Sequence, residues 1–305
     1  MKPAMNAPAV NVSVRELLSS GQLRLDRAGV EGARREARLL LAAAMERPWG
    51  DLVGREERSV MADEAARFEG FVARRAAREP VSRILGRREF WSLDFGLSAA
   101  TLDPRADSEA LIDAVLEEVP SREAALSILD LGCGSGCLLL ALLSELPNAR
   151  GTGVDLAPLA VATASANAER HGLQRRARFL IADWDSGLAG RFDVVISNPP
   201  YIPAAEIATL APEVVRHDPL LALDGGQDGL DAHRRLAQII PRRLAAGGIA
   251  VVEHADDQGP AAEAVYEGGG LELRKWHADL GGRRRCLVMA KNGDKKTVGK
   301  DGATV

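Results

Sequence analysis

The chain has 305 residues, 46% of them hydrophobic and 27% charged, the balance of a soluble globular protein of one large or two ordinary domains. Fibre and disorder are excluded. No run approaches the roughly 20 apolar residues of a membrane span, and the opening MKPAMNAPAV lacks the apolar core of a secretory signal, so a cytoplasmic protein is expected. A net charge of -4 and a pI near 5.8 argue against stable binding of nucleic acid through the overall field. Three cysteines, Cys133, Cys137 and Cys286, are too few for a disulfide framework and form no CxxC pair, so no metal is expected.

Residues 12–79 carry helix signals. Ser13-Val14-Arg15-Glu16 has the spacing of a capping box. Ala37, Leu40, Leu41 and Ala44 predict a helix over 31–46, and Ala65, Phe68, Phe71 and Val72 predict another over 61–78. A helical domain is expected over 1–78. Alternating apolar residues with Gly86 and Gly96 predict a β-hairpin linker over 79–110.

From Leu126 short apolar runs alternate with helical segments: SILDL, a helix over 136–146, GTGVDL, a helix over 157–171, RFLIAD and DVVISN. Strands this apolar belong to a parallel sheet covered on both faces, so 111–291 is expected to be a doubly wound α/β domain. A helix over 229–245, the strand GGIAVVEH, a helix over 259–267 and a closing pair near 270–277 and 284–290 continue it. The polar tail 292–305 is expected to be disordered.

Asp130-Leu131-Gly132-Cys133-Gly134-Ser135-Gly136 falls where the first of these strands turns into a helix. Its GxGxG spacing is neither a dinucleotide fingerprint nor a triphosphate loop, and no Lys follows to meet a triphosphate. The next strand ends at Asp155-Leu156, where α/β folds place a carboxylate on ribose hydroxyls. The third ends at Ala182-Asp183-Trp184, a carboxylate and an indole suited to an adenine. A nucleoside without phosphates fits all three strand ends.

The fourth strand ends in Asn198-Pro199-Pro200-Tyr201 on the same edge. The Asn198 amide oxygen and the Pro199 carbonyl are two acceptors suited to one planar NH2 group, and Tyr201 offers a face for stacking. In order and spacing, DLGCGSG, GVDL, ADWD and NPPYI resemble class I AdoMet-dependent methyltransferases acting on a planar nitrogen. Together with EPVSRILGRREFWSLDF, PRADSE and HDPLLALDGGQDGLDA, they resemble the release factor glutamine methyltransferase family (PrmC, also called HemK) over roughly 79–291.

The resemblance implies S-adenosyl-L-methionine as cofactor, contacted by Asp130, Gly132, Cys133, Gly134, Ser135, Gly136, Asp155, Leu156, Asp183, Trp184 and Asn198. It implies that Asn198, Pro199, Pro200 and Tyr201 are catalytic and hold the substrate glutamine. The implied reaction is N5-methylation of the GGQ glutamine of class I peptide chain release factors, by a monomer whose helical domain recognises the substrate. A glutamine methyltransferase acting on a large-subunit ribosomal protein, and an adenine-amino methyltransferase, are the alternatives. The chain departs from the family pattern at Arg83 (usually aromatic), Ala106 and Ser108 (within PRPDTE), Asp218 (usually Glu) and Ala255 (usually Gly).

Methylating an amide nitrogen requires its delocalised lone pair to be exposed, and two acceptors for its hydrogens would serve that. Other candidates read more plainly. His254 is expected to be structural at a strand end, His217 and His233 to lie on a loop and a helix surface, and Cys133 to be a small filler. Arg34, Arg35, Arg38, Arg74, Arg75 and Arg78 read as a solvated basic face.

Overall fold

Ser13 caps the first helix as its spacing to Glu16 predicts. In the computed structural model, which describes residues 12–293, Glu16 Oε2 accepts from the Ser13 N–H at 2.8 Å and Ser13 Oγ accepts from the Glu16 N–H at 3.3 Å. By its contacts the chain forms two units, one of residues up to Gly86 together with Pro212–His217, the other of Arg87–Ala211 and the residues from Asp218 on. The expected disordered tail, apart from residues 292 and 293, lies outside the described residues.

The first unit contains β1 (Val12–Ser13), α1 (Val14–Arg27), α2 (Ala33–Ala44), β2 (Ser59–Val60), α3 (Ala62–Ala76) and α4 (Val81–Leu85), with β1 and β2 antiparallel. Ala37, Leu40, Leu41 and Ala44 of α2 are buried, a stripe at helical spacing that packs on Leu17, Leu25, Phe68 and Val72. Full burial of each large apolar side chain contributes about 1.5–3 kcal/mol. Gly21, inside α1, is required by packing: a Cβ there would lie 2.5 Å from Phe68 Cζ.

The basic face is only partly solvated. Arg34 and Arg35 are exposed, but Arg75 is buried, donating to Glu36 at 2.6 Å and to Glu213 at 2.9 Å, and Arg78 also donates to Glu213. Glu213 belongs to the short helix α8 (Pro212–His217), which is how that segment joins this unit. Its own burial raises the Glu213 carboxyl, and the two guanidiniums with a backbone hydrogen bond outweigh that, leaving it below the usual range.

The second unit begins with β3 (Arg87–Phe90) and β4 (Leu93–Gly96). The hairpin expected over 79–110 is therefore confined to 87–96. Pro80 sits at the N-cap of α4 and Gly86 ends it at φ 67°, so the preceding residues turn helical, and those after Gly96 run irregularly into α5 (Glu109–Glu118).

Then come β5 (Ser127–Leu131), α6 (Cys137–Glu145), β6 (Arg150–Asp155), α7 (Pro158–Arg170), β7 (Ala177–Ile181), β8 (Phe192–Ser197), α9 (Asp231–Arg243), β9 (Leu244–Glu253), α10 (Gly259–Gly268), β10 (Leu271–Ala278) and β11 (Arg284–Lys291). They build one seven-stranded sheet in the order β10-β11-β9-β8-β5-β6-β7. Strands β5 to β9 are parallel to their neighbours in that series, while β11 runs antiparallel to β9 and β10. This is the doubly wound, mostly parallel sheet expected from the alternation of apolar strands and helices. Ile128, Leu129 and Leu131 of β5 and Val194, Val195 and Ile196 of β8 are buried, as a sheet covered on both faces demands.

The chain leaves β5 for β6 and β7 on one side, then returns to β8 on the other. The carboxyl ends of β5, β6 and β8 thus surround a topological switch point, where open α/β sheets bind ligands. Ser197 pairs with Val252, which sets Asn198 and Glu253 one step beyond paired strand ends. No helix of the described residues is long and apolar enough to cross a membrane.

Candidate active site

The switch point opens into a cleft lined by Gly132, Gly134, Asp155, Trp184, Asn198 and Pro200, among others. Gly132, Gly134 and Gly136 have φ of 77°, 52° and 78°, a region that a side chain disfavours. A Cβ at Gly132 or Gly134 would meet no protein atom within 4 Å, so the loop's free side faces open space. Asp155 holds this loop in place: Oδ2 accepts from the Gly134 N–H at 2.9 Å, and Oδ1 accepts from the Ala157 N–H at 2.9 Å ahead of α7. Each carboxylate oxygen keeps a further lone pair for a ligand hydroxyl.

Trp184, on the cleft wall beyond β7, has φ 53°, an uncommon conformation for a bulky residue. The next residue anchors it. Asp185 is buried and accepts from Arg242 at 2.8 and 2.9 Å and from Arg243 at 2.8 Å. Burial raises the Asp185 carboxyl, but the two guanidiniums outweigh this and hold it below its usual range. Asp183 is exposed on the rim, 3.9 Å from Arg235.

At the end of β8, Ser197 Oγ donates to the Leu131 carbonyl at 2.7 Å, tying the strand to β5. Asn198 follows, and its Nδ2 donates to Ser108 Oγ at 3.0 Å. That bond commits the amide nitrogen and leaves Asn198 Oδ1 as an acceptor in the cleft wall. Tyr201 donates its hydroxyl to Glu253 Oε1 at 3.2 Å, and its carbonyl accepts from Gln258 Nε2 at 2.8 Å. Glu253 is buried at the end of β9, and its Oε2 has no hydrogen-bond partner among the described residues. Burial pushes its carboxyl up to about 7, against the pull of the Tyr201 hydroxyl and of Arg285.

The facing wall comes from two segments, Ala100 to Arg105 and Pro219 to Ala222. They are joined by Asp218, which is buried, accepts from the Asp103 N–H at 3.3 Å and pairs with Arg105. Here the departure from the family pattern serves as a tie between loops. Ala106 is exposed on the turn that presents Ser108, and the Ala255 carbonyl is within 2.6 Å of His254 Nδ1.

Of the residues singled out from the sequence, Gly132, Cys133, Gly134, Ser135, Asp155, Leu156, Asp183, Trp184, Asn198 and Pro200 line one cleft. Gly136, Asp130, Pro199 and Tyr201 are not among the residues that line it. Asp130 is fully buried, and burial with the nearby Asp155 carboxylate pushes it up to about 8. Burial raises the Tyr201 hydroxyl far above its usual range, and Glu253 adds to that. Burial likewise raises the Cys133 thiol and takes Cys137 to about 12, which fits fillers rather than nucleophiles.

Two histidine readings divide. His254 is buried beside Trp276, as a structural residue would be. His233 is not on a helix surface: it is fully buried, its Nδ1 2.9 Å from the Tyr266 hydroxyl. Ser108, Glu253 and the Arg105–Asp218 pair had no assigned role in the sequence. A carboxylate closing the apolar strand GGIAVVEH was the available signal for Glu253.

Known proteins agree with this architecture. The family model described as the PrmC N-terminal domain matches residues 16–86, and the methyltransferase small domain matches residues 96–227. A release factor glutamine methyltransferase of Rhodospirillum rubrum is 50% identical over 278 residues, covering 90% of this chain and 84% of that protein. Its counterpart in Agrobacterium fabrum is 43% identical over 90% of this chain and 96% of that protein, and that of Bradyrhizobium diazoefficiens is 42% identical over 95% and 99%. With identity at this level along nearly the whole chain, the protein is an enzyme belonging to the release factor glutamine methyltransferase family.

Proposed function

We propose that this enzyme transfers the methyl group of S-adenosyl-L-methionine to the side-chain amide nitrogen of the glutamine in the GGQ motif of class I peptide chain release factors. The observation that carries the reading is the Asn198 amide, whose nitrogen is committed to Ser108 so that its oxygen is offered to the cleft beside the glycine loop. An acceptor fixed there suits a substrate NH2 group.

The cleft fits the cofactor. Gly132 and Gly134 leave open space where a Cβ would project, Asp155 has lone pairs for ribose hydroxyls, and Trp184 offers an indole for the base. When bound there, the cofactor supplies a methyl group made electrophilic by its sulfonium. The chain's own contribution is orientation. Asn198 Oδ1 and the Pro199 carbonyl accept the two amide hydrogens of the glutamine, Pro199 and Pro200 stiffen the backbone that carries these acceptors, and Tyr201 braces the segment against Glu253. Held this way, the nitrogen directs its lone pair out of the amide plane. Its proton becomes acidic once the new N–C bond forms, so no strong base has to act first.

The test is transfer of labelled methyl to three acceptors: a class I release factor, that factor with its GGQ glutamine replaced by alanine, and duplex DNA. Label on the intact factor alone is expected. Label on DNA, or equally on the alanine variant, would overturn the reading.

A further inference from the structure

Among the described residues that line the cleft, Arg105 alone is a cation, while Asp155 and Asp183 are carboxylates. The Arg105 Nη2 donates to Asp218 Oδ2. The Asp218 side chain is 1% exposed and that of Arg105 42%, so the pair has a buried anchor and an open end. Asp218 is itself fixed, since its Oδ1 accepts from the Asp103 N–H at 3.3 Å. It is the one hydrogen-bond partner of the Arg105 guanidinium among the described residues, and a guanidinium carries five N–H donors in a rigid plane. Most of those donors remain for an anion in the cleft.

The place of this cation along the cleft identifies the part of a ligand that it meets. The Ser108 N–H donates to the Arg105 carbonyl at 3.0 Å, closing one turn, and Ser108 Oγ accepts from Asn198 Nδ2. Arg105 therefore belongs to the β8 side of the switch point. Asp155 and Trp184, the groups suited to ribose and base, follow β6 and β7, which lie across β5 from β8. Because the methyl group must reach an amide held at Asn198, the substituent on a nucleoside bound there runs toward β8. In S-adenosyl-L-methionine that substituent ends in an α-carboxylate, the ligand's one anionic group. Asp155 and Asp183 disfavour an anion at the nucleoside end, and Arg105 attracts it at the other. We propose that Arg105 binds the α-carboxylate of the cofactor, and that the buried Asp218 is the positioning residue that holds the guanidinium ready for it.

The inference rests on the cofactor reading above, and the experiment separates the two. Wild type, Arg105→Gln, Arg105→Lys, Asp218→Asn and Asp218→Glu are titrated calorimetrically with S-adenosyl-L-methionine and with its decarboxylated form, which keeps the base, ribose, sulfonium and amine and lacks only the carboxylate. Failure of the wild type to bind either ligand would sink the cofactor reading itself. Given binding, the wild type should prefer the carboxylated ligand roughly tenfold to a hundredfold, the range for hydrogen bonds to a charged group. Arg105→Gln should lose that factor for S-adenosyl-L-methionine and bind the decarboxylated form no more weakly than the wild type does. Arg105→Lys should lose most of the preference too, because a single ammonium cannot bridge Asp218 and the ligand as a planar fork does. Asp218→Asn should lower the preference, and Asp218→Glu should keep it. A loss in Arg105→Gln that is equal for the two ligands overturns the proposal, because it marks damage to the cleft wall alone. So does a wild type without preference, or a preference unchanged in Arg105→Gln or Asp218→Asn. If Arg105→Gln does not fold, the lysine variant decides by the same comparison.

Discussion

Asn198 and Ser108 stand 90 residues apart in the chain and 3.0 Å apart in the fold, the amide nitrogen of one donating to the hydroxyl oxygen of the other. The pairing decides which half of the Asn198 amide faces the cleft. Replacing Asn198 by Ala removes the presented oxygen and should lower kcat for methyl transfer by roughly tenfold to a thousandfold. Initial rates at saturating cofactor check this, and turnover near that of wild type would contradict the role.

Gly134 tests the cofactor cradle. With open space beside Gly134, an alanine directs a methyl group into the cleft, where close contact with a ligand costs about 1–3 kcal/mol of binding. Since 1.4 kcal/mol is a factor of ten, Gly134→Ala should weaken cofactor binding at least about tenfold. Calorimetric titration with S-adenosyl-L-methionine reads this directly, and unchanged affinity would count against the cradle.

Gly21 sets two effects in opposition. Alanine gains up to about 1 kcal/mol of helix propensity over glycine, but its Cβ would lie 2.5 Å from Phe68 Cζ, and overpacking costs about 1–3 kcal/mol. The steric effect should prevail, lowering the urea midpoint of Gly21→Ala. Adding Phe68→Leu should cost less in that background than in the wild type, the coupling expected of touching residues.

The buried His233 predicts an acid limb of stability. Burial, with His254 nearby, lowers it to about 4 from its ordinary 6.5. The unfolded chain therefore takes up a proton before the folded one does, and the contribution is fully present above about 6.5 and lost as pH falls toward 4. At 1.36 kcal/mol per pH unit the loss approaches about 3 kcal/mol. The stability difference between wild type and His233→Gln, measured by denaturant unfolding at several pH values, should vary through that window. A constant difference would show that His233 titrates normally in the fold.

What the sequence revealed of the site is what sits locally at strand ends. The glycine loop, Asp155, Trp184 and Asn198 each close a short apolar run, and a parallel sheet carries all such ends to one edge. Ser108 and Glu253 were hidden because their neighbours are distant in the chain: Ser108 meets Asn198 90 residues on, and only the insertion of β9 beside β8, with Ser197 opposite Val252, brings Glu253 to Tyr201. His233 was legible and misread. Its spacing to Leu236 and Ile240 puts it on the buried stripe of α9, a position the polar neighbours Arg234 and Arg235 obscure. The hairpin was overextended because alternation continues through 79–86, while Pro80 and Gly86 bracket a single helical turn.

Residues 212–217 belong to the helical unit although the chain on either side of them belongs to the other. The polypeptide is thus stitched through the first unit twice, once at the start and again just downstream of NPPY. Cutting at Gly86 would leave Glu213 in the downstream piece, stripped of Arg75 and Arg78.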